Sequence, residues 1–351
     1  MTTDASDLTL HTDGRAARIV LNRPRALNAL THGMLLRIHE ALDAWAADEG
    51  VATVVLTGTG ERGLCAGADI RALHDDAKLG GARARRFFRD EYLLNLAIAR
   101  YAKPYVAVMD GITMGGGVGL SAHGAVRVVT ERSQVAMPET RIGLVPDVGG
   151  SHLLAHAPGE LGTHFALTAA SMGPGDAILL GFADTFVPAR SLTAFTGALA
   201  TGDAAETVRE FATEAPAAEI AAQREWIDTC YAADTVEEIL DRLLGCGVVE
   251  AKEAAEQIRA KSPTALKVTL AALRRARTHT TLAQTLEQEY RVSCAALDTH
   301  DLVEGIRAQV VDKDRNPRWS PAALSQVTPD EVARFFAPQP DGGLGLAAGL
   351  G

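Results

Sequence analysis

The apolar positions of this chain follow two rhythms. Short, mainly apolar runs at residues 16–21, 51–57, 104–109, 126–130, 134–137 and 184–187 predict strands. Longer segments place apolar residues three and four apart and predict helices. Over 31–47, Leu35, Ile38, Leu42 and Trp45 share one face, with Thr31 placed to cap the helix start. Further helices are predicted over 82–102, 235–244, 249–260, from Ser262-Pro263 onward, and over 282–297. The strand rhythm stops near residue 190, and an Ala- and Glu-rich stretch at 201–222 opens an almost wholly helical remainder. The expected organisation is an α/β core at 1–195, a helical region at 196–338 and a disordered glycine-rich tail at 339–351. A polar turn at 312–319 closes on Trp319, which is expected to be buried. No repeat of fixed period is present.

Three stretches break both rhythms. Leu64-Cys65-Ala66-Gly67-Ala68-Asp69 follows a buried strand and has only small side chains at its centre, so the backbone itself can approach a ligand. Residues 110–121 (DGITMGGGVGLS) place Gly115, Gly116, Gly117 and Gly119 between a strand and a helix, a start whose N–H groups suit developing negative charge. Residues 137–150 (MPETRIGLVPDVGG) set Glu139 and Asp147 among apolar neighbours, with prolines and glycines excluding one regular element. Such carboxylates are costly to bury unless paired or used. The alternative is a helix N-cap for Asp147 and a salt bridge for Glu139. Arg83, Arg85, Arg86 and Arg89 cluster at one helix start, as a solvated face or as contacts for an anionic ligand.

A chain of 351 residues with 47% hydrophobic and 22% charged residues belongs among ordinary globular proteins. Its net charge, 34 − 44 = −10, leaves no basic surplus for nucleic acid. No apolar run approaches the ~20 residues of a membrane span. Cys65, Cys230, Cys246 and Cys294 form no metal or CxxC spacing and are expected to be reduced thiols in a cytoplasmic protein. The N-terminus shows no basic-then-apolar signal pattern.

Several motifs fall short. The glycine run lacks the third glycine of a dinucleotide fingerprint, because Leu120 stands there, and lacks the P-loop Lys-Ser/Thr. Ser121 begins like a nucleophile elbow, but His123 occupies the closing glycine position. His152 and His156 could share a helix face, yet the glutamate of a zinc-protease motif is missing. Cys65 has no histidine near it in sequence and reads as a small core residue. What remains is two backbone turns, around Ala66 and Gly116, able to aim N–H groups at one oxyanion, with carboxylates to supply acid, base or nucleophile.

Over nearly its whole length the chain resembles the crotonase (enoyl-CoA hydratase/isomerase) superfamily, and within it the 3-hydroxyisobutyryl-CoA hydrolase branch. The core motifs are residues 22–30 (NRPRALNAL), 65–70 (CAGADI), DGITMGGGVGLS and PETRIGLVPDVGG. Residues 87–95 (FFRDEYLLN), 262–268 (SPTALKV), Glu289-Tyr290-Arg291 and 304–319 (EGIRAQVVDKDRNPRW) carry the branch.

The resemblance implies a crotonase-like spiral of ββα turns with a C-terminal helical region, binding an acyl-CoA thioester. Ala66 and Gly116 would form the oxyanion hole. Glu139 and Asp147 would be catalytic, and Glu91 would hold the substrate. Gly115, Arg23, Arg25, Ala26, Gly67, Ala68, Asp69 and Ile70 would line the acyl-CoA site. Gly119 stands where hydratases carry a second glutamate, and Asp147 where they carry glycine, which favours hydrolysis over water addition. Ala68 departs from the second glycine common in the hydrolases. The implied reaction is hydrolysis of a short β-hydroxyacyl-CoA, in the branch 3-hydroxyisobutyryl-CoA of valine catabolism, with no metal or redox cofactor. An enoyl-CoA hydratase and a non-catalytic acyl-CoA binder are the alternatives. Neither nucleic acid nor membrane is an expected partner. A homo-oligomer is left open: family members form trimers or pairs of trimers, and the added helical part could block those contacts.

Overall fold

The computed structural model describes residues 5–339 and 342–346. They form two compact units, each assembled from separated stretches of chain. The first takes in residues as far as Asp69, then Leu93–Ala136 and Met172–Glu219. The second takes in Ile70–Tyr92, Met137–Ser171 and residues from Ile220 on.

The first unit is built on a six-stranded sheet. Its strands are β1 (Leu8–Asp13), β2 (Ala16–Leu21), β3 (Thr53–Gly58), β4 (Tyr105–Met109), β6 (Val126–Val129) and β9 (Thr185–Phe186), in the order β1-β2-β3-β4-β6-β9. Only β1 runs antiparallel to its neighbour. Val54, Val55, Leu56, Val106 and Ala107 are buried, as unbroken apolar runs of covered parallel strands should be. A small second sheet holds β5 (Ile112–Met114), β7 (Gln134–Ala136) and β8 (Ser171–Met172), in that order. The helix His32–Ala47 buries Leu35, Ile38 and Leu42, and its Thr31 cap accepts from the Met34 N–H at 3.3 Å, as predicted.

The second unit is helical and includes His300–Ile306, Pro263–Ala276 and Leu282–Ala296. Val145, Val268, Ala272, Val292 and Phe336 form one of its apolar clusters.

Four expectations are corrected. The domain boundary at 195/196 is not where the units divide. Phe195, Leu199 and Ala204 pack with Val55, Val106 and Val128 of the sheet, so the chain stays in the first unit to Glu219. Strand β1 escapes the sequence pattern because it is an edge strand with only Leu8 buried. Trp319 is half-buried, its Nε1–H donating to the Ala260 carbonyl at 3.1 Å. The tail expected to be disordered at 339–351 lies partly outside the described residues. Residues 342–346 are ordered by a donor and an acceptor that composition does not show: Arg89 Nη1 donates to the Gly343 carbonyl at 2.8 Å, and Glu287 accepts from the Leu344 N–H at 3.3 Å.

Candidate active site

In the first unit, the small-residue stretch after β3 is tied into place on both sides. Cys65 donates its N–H to the Ile112 carbonyl at 3.1 Å and accepts from the Met114 N–H at 2.9 Å. Its buried Sγ donates to the Asn28 carbonyl at 3.2 Å, so Cys65 is the small core residue the sequence indicated. Leu30 donates to the Gly67 carbonyl and accepts from the Asp69 N–H, each at 2.9 Å. This parallel bridge leaves the N–H of Ala68, between them, without an acceptor among the described residues.

Ala66 does not fill the role assigned to it. Its N–H already donates to the Leu27 carbonyl at 3.0 Å. Backbone donors at 66 and 68 cannot be told apart from composition, because only the register against Leu27 and Leu30 decides which one is spent. Ala68 therefore carries the unspent N–H of this turn. The second turn supplies Gly116, the first residue of the helix Gly116–Ser121, whose N–H has no intrahelical partner. The turns lie close: a Cβ on Gly67 would sit 3.5 Å from the Gly116 nitrogen, and one on Gly117 would strike the Cys65 carbonyl oxygen at 2.4 Å. Gly115 holds φ +50°, where only glycine is at ease. Ser121 is a helix residue, its Oγ donating to the Gly117 carbonyl at 2.7 Å.

Arg23, Arg25, Ala26, Gly67 and Asp69 also lie in this unit. Arg23 donates to Asp69 Oδ2 at 3.2 Å and faces Asp7 at 3.5 Å, so it fixes the turn. Arg25 and Ala26 are exposed.

The second unit holds the carboxylates, along with Ile70 at the start of the helix Ile70–Ala77. Glu91, Glu139, Asp147 and Glu289 are all buried. Neither alternative reading of the loop at 137–150 survives. Asp147 caps no helix, since Gly149 is the N-cap of Gly150–His156, and Glu139 forms no salt bridge among the described residues. Glu91 Oε1 and Glu139 Oε2 are buried without a hydrogen-bond partner. Asp147 accepts from the Tyr92 hydroxyl at 2.6 Å, and that hydroxyl lies 2.8 Å from Ser293 Oγ. Glu289 accepts from the Gly149 N–H at 2.7 Å, from the Ser151 N–H at 3.1 Å and from the Ser151 hydroxyl.

Those bonds to Glu289 hold a strained turn. Val148 sits at φ +52° and Gly149 at φ +79°. A β-branched residue in the left-handed region costs about 1–3 kcal/mol and persists only where its surroundings impose it.

Burial governs the ionisation of the cluster. It pushes Glu139 well up, with Asp147, Glu289 and Glu91 adding like charge. It pushes Glu91 well up, with Asp147 adding to it. Glu289 rises to about 8 despite its three donors. Asp147 rises only to about 6, because the Tyr92 hydroxyl pulls against burial.

These shifts have one sign for stability. A carboxyl raised above its unfolded value binds its proton more tightly in the folded chain, so its contribution is full below the unfolded value and is lost as pH rises through the folded one. For Glu289 the window runs from its ordinary 4.5 to about 8. The melting temperature is expected to fall from pH 5 to pH 8, and Glu289→Gln to flatten that slope. A scan of Tm against pH on both proteins checks it.

Other candidates resolve without chemistry. His152 and His156 do share a face, ring centroids 4.4 Å apart, but their Nδ1 atoms face the Thr285 hydroxyl and the His152 carbonyl. Arg85 binds Asp298 at 2.9 Å and Arg89 the Gly343 carbonyl, so that basic helix start is partly used within the unit. Tyr92, Ser293 and Glu289 are not singled out as site residues by the sequence. Glu289 could have been noticed as a carboxylate inside a branch motif. Tyr92 and Ser293 read as ordinary helix residues.

Two unspent backbone donors on glycine-supported turns, and a set of buried carboxylates, define a protein equipped for acyl transfer chemistry. The chain belongs to the enoyl-CoA hydratase/isomerase family, whose model matches residues 16–336. It is 40% identical to the mitochondrial 3-hydroxyisobutyryl-CoA hydrolase of Rattus norvegicus, over 95% of this chain and 89% of that one. The Gallus gallus protein of the same name is 40% identical, over 96% and 90%. Among solved structures, a carnitinyl-CoA dehydratase from Mycobacterium thermoresistibile matches with TM-score 0.93 and 51% identity, covering 96% of this chain and 98% of that one. An enoyl-CoA hydratase from Rhodobacter sphaeroides 2.4.1 matches with TM-score 0.92 and 44% identity, over 97% and 99%. The fold is thus the crotonase-like one with a C-terminal helical region. No described helix is long and apolar enough to cross a membrane.

Proposed function

We propose that this protein hydrolyses a short β-hydroxyacyl-CoA thioester, 3-hydroxyisobutyryl-CoA first among them, to the free acid and CoA. The observation that carries the reading is Asp147, a buried carboxylate held by Tyr92 and grouped with Glu139 and Glu91. The likeness over almost the full chain to curated 3-hydroxyisobutyryl-CoA hydrolases supports it. Such a role would place the protein in valine breakdown.

The reaction needs three things. The thioester oxygen must be stabilised as it gains charge, which the N–H groups of Ala68 and Gly116 would do. The carbonyl carbon must be attacked, by Glu139 directly or by a water that it aligns. A water must lose its proton as it adds, and Asp147 would accept it. Glu91 would receive the β-hydroxyl of the acyl group. No step calls for a metal or redox cofactor. The buried thiols Cys65, Cys230 and Cys294 support a reducing compartment such as the cytoplasm.

A second reading, addition or removal of water at an enoyl-CoA, is favoured by one observation: the two solved structures compared above are named a dehydratase and a hydratase. One experiment separates the readings. CoA release from 3-hydroxyisobutyryl-CoA is measured beside loss of enoyl absorbance from crotonyl-CoA. Fast thiol release with little enoyl loss is expected. Enoyl loss without thiol release overturns the hydrolase.

The donor assignment has its own test. Replacing the amide N–H of residue 68 by an ester oxygen is expected to lower kcat about 10²- to 10³-fold, the usual cost of one oxyanion donor. The same replacement at residue 66 should instead destabilise the fold, because it breaks the bond to Leu27.

A further inference from the structure

We propose that Tyr92 is a positioning residue that holds the Asp147 carboxyl ionised, ready to take the proton of the attacking water. The inference rests on the hydrolase reading for its consequence, and on the geometry for the assignment.

Four buried carboxylates within one unit cannot all carry charge. The groups facing Asp147 are Glu91 and Tyr92 from the helix Ala82–Ala99, Glu139 from the turn Glu139–Ile142, and Glu289 from the helix Leu282–Ala296, whose Ser293 reaches the Tyr92 hydroxyl. Among the described residues, the one side-chain donor on Asp147 is the Tyr92 hydroxyl. Burial, Asp147 and Glu289 push the Tyr92 phenol far up, so it keeps its proton at every working pH. That single proton is spent on Asp147. The Ser293 hydroxyl, 2.8 Å away, must then donate to the Tyr92 oxygen. The bonds run one way, Ser293 to Tyr92 to Asp147, and a chain of donors ending on a carboxylate favours its charged form. Glu139 and Glu91 each leave a buried oxygen without such a donor.

The ring of Tyr92 is fixed independently of its hydroxyl. It packs edge-to-face on Tyr290, centroids 6.4 Å apart, and against Phe88 at 6.0 Å. Tyr92→Phe therefore removes the donor and keeps the packing.

The step balances as follows. A water oxygen bonds to the acyl carbon while its proton passes to Asp147. The bond from the acyl carbon to its leaving group then breaks, and the proton leaves Asp147 for the departing atom. The leaving group is CoA sulfur in direct hydrolysis; if Glu139 first displaces CoA as its thiolate to form an anhydride, the leaving group is the Glu139 oxygen, which passes the proton on to that thiolate. Asp147 returns as the anion in both courses.

The test reads Asp147 directly. Protein carrying carboxyl-labelled aspartate is titrated by NMR, with the Asp147 signal identified by its loss in Asp147→Asn. In Tyr92→Phe the midpoint is expected to rise by about one pH unit. In Ser293→Ala it should rise less, in the same direction, and this variant stands in if Tyr92→Phe does not fold. An unmoved midpoint overturns the inference whatever the activity. The pH profile of kcat is then recorded on the same proteins. Its acid limb should move up with the midpoint while KM changes little. A midpoint that moves without the acid limb leaves Tyr92 as the donor that holds the charge, but sinks Asp147 as the base and with it the hydrolase mechanism.

Discussion

Glu139→Gln is expected to reduce CoA release by roughly 10³-fold or more, with KM for the acyl-CoA changed little. Glutamine keeps the size of the side chain and one carbonyl oxygen, but it is neither a nucleophile nor a base. The wild-type carboxylate is buried in the second unit, with Oε2 unpartnered. Removing its charge therefore breaks no side-chain bond that holds the fold. Burial first, and then the charge on Asp147, disfavour the ionised form of Glu139, so the substitution should leave Tm unchanged or raise it. Loss of turnover with stability retained separates a chemical role from a structural one. Near-normal thiol release by the folded variant would sink the role of Glu139. A single turnover of wild-type enzyme in ¹⁸O-water reports one course directly: label in the Glu139 carboxyl means an anhydride opened at the glutamyl carbon, whereas water adding at the acyl carbon labels the product acid by either route.

How far the sequence reaches is clear from particular residues. The buried parallel strands were legible because Val54, Val55, Leu56, Val106 and Ala107 are apolar in unbroken runs. The site loop was legible for the opposite reason, since Glu139 and Asp147 are carboxylates in apolar company and both proved buried. The 65/69 turn reads as a place where backbone can approach a ligand, but the resemblance points to the N–H of Ala66, which is spent, while that of Ala68 two residues on is not. Spacing cannot show that Ala66 donates to Leu27 while Leu30 brackets Ala68; only the register of distant backbone does. The unit boundary failed on the same ground. Residues 70–92 and 137–171 look like part of an α/β core, yet they fold with residues beyond 220. The partners that tune the site, Tyr92, Ser293 and Glu289, come from helices whose amphipathic pattern conceals them. A buried tyrosine hydroxyl has no sequence signature until its acceptor is known.

Asp147→Asn should lower kcat about 10²- to 10³-fold and at the same time raise the melting temperature at neutral pH. The two effects share one cause. Burial lifts the Asp147 carboxyl from its ordinary 3.8 to about 6, so the folded chain favours its neutral form. Stability from this group is full below pH 3.8 and is lost as pH rises through about 6. At pH 7 the wild-type protein holds a buried anion at a cost that asparagine does not incur. The amide oxygen of the substituted side chain can still accept from Tyr92, so the bond at 2.6 Å is replaced and not abandoned. A gain of a few degrees in Tm is expected at pH 7, shrinking toward zero at pH 4. Activity runs the other way. A base works only when ionised, so wild-type kcat should fall below about pH 6, and the residual rate of the variant should lose that limb. Calorimetry across pH 4–8, with kcat on the same samples, checks both. A variant that is less stable at pH 7, or that retains the acid limb, would remove Asp147 from the role of base and give the titration near pH 6 to another member of the cluster.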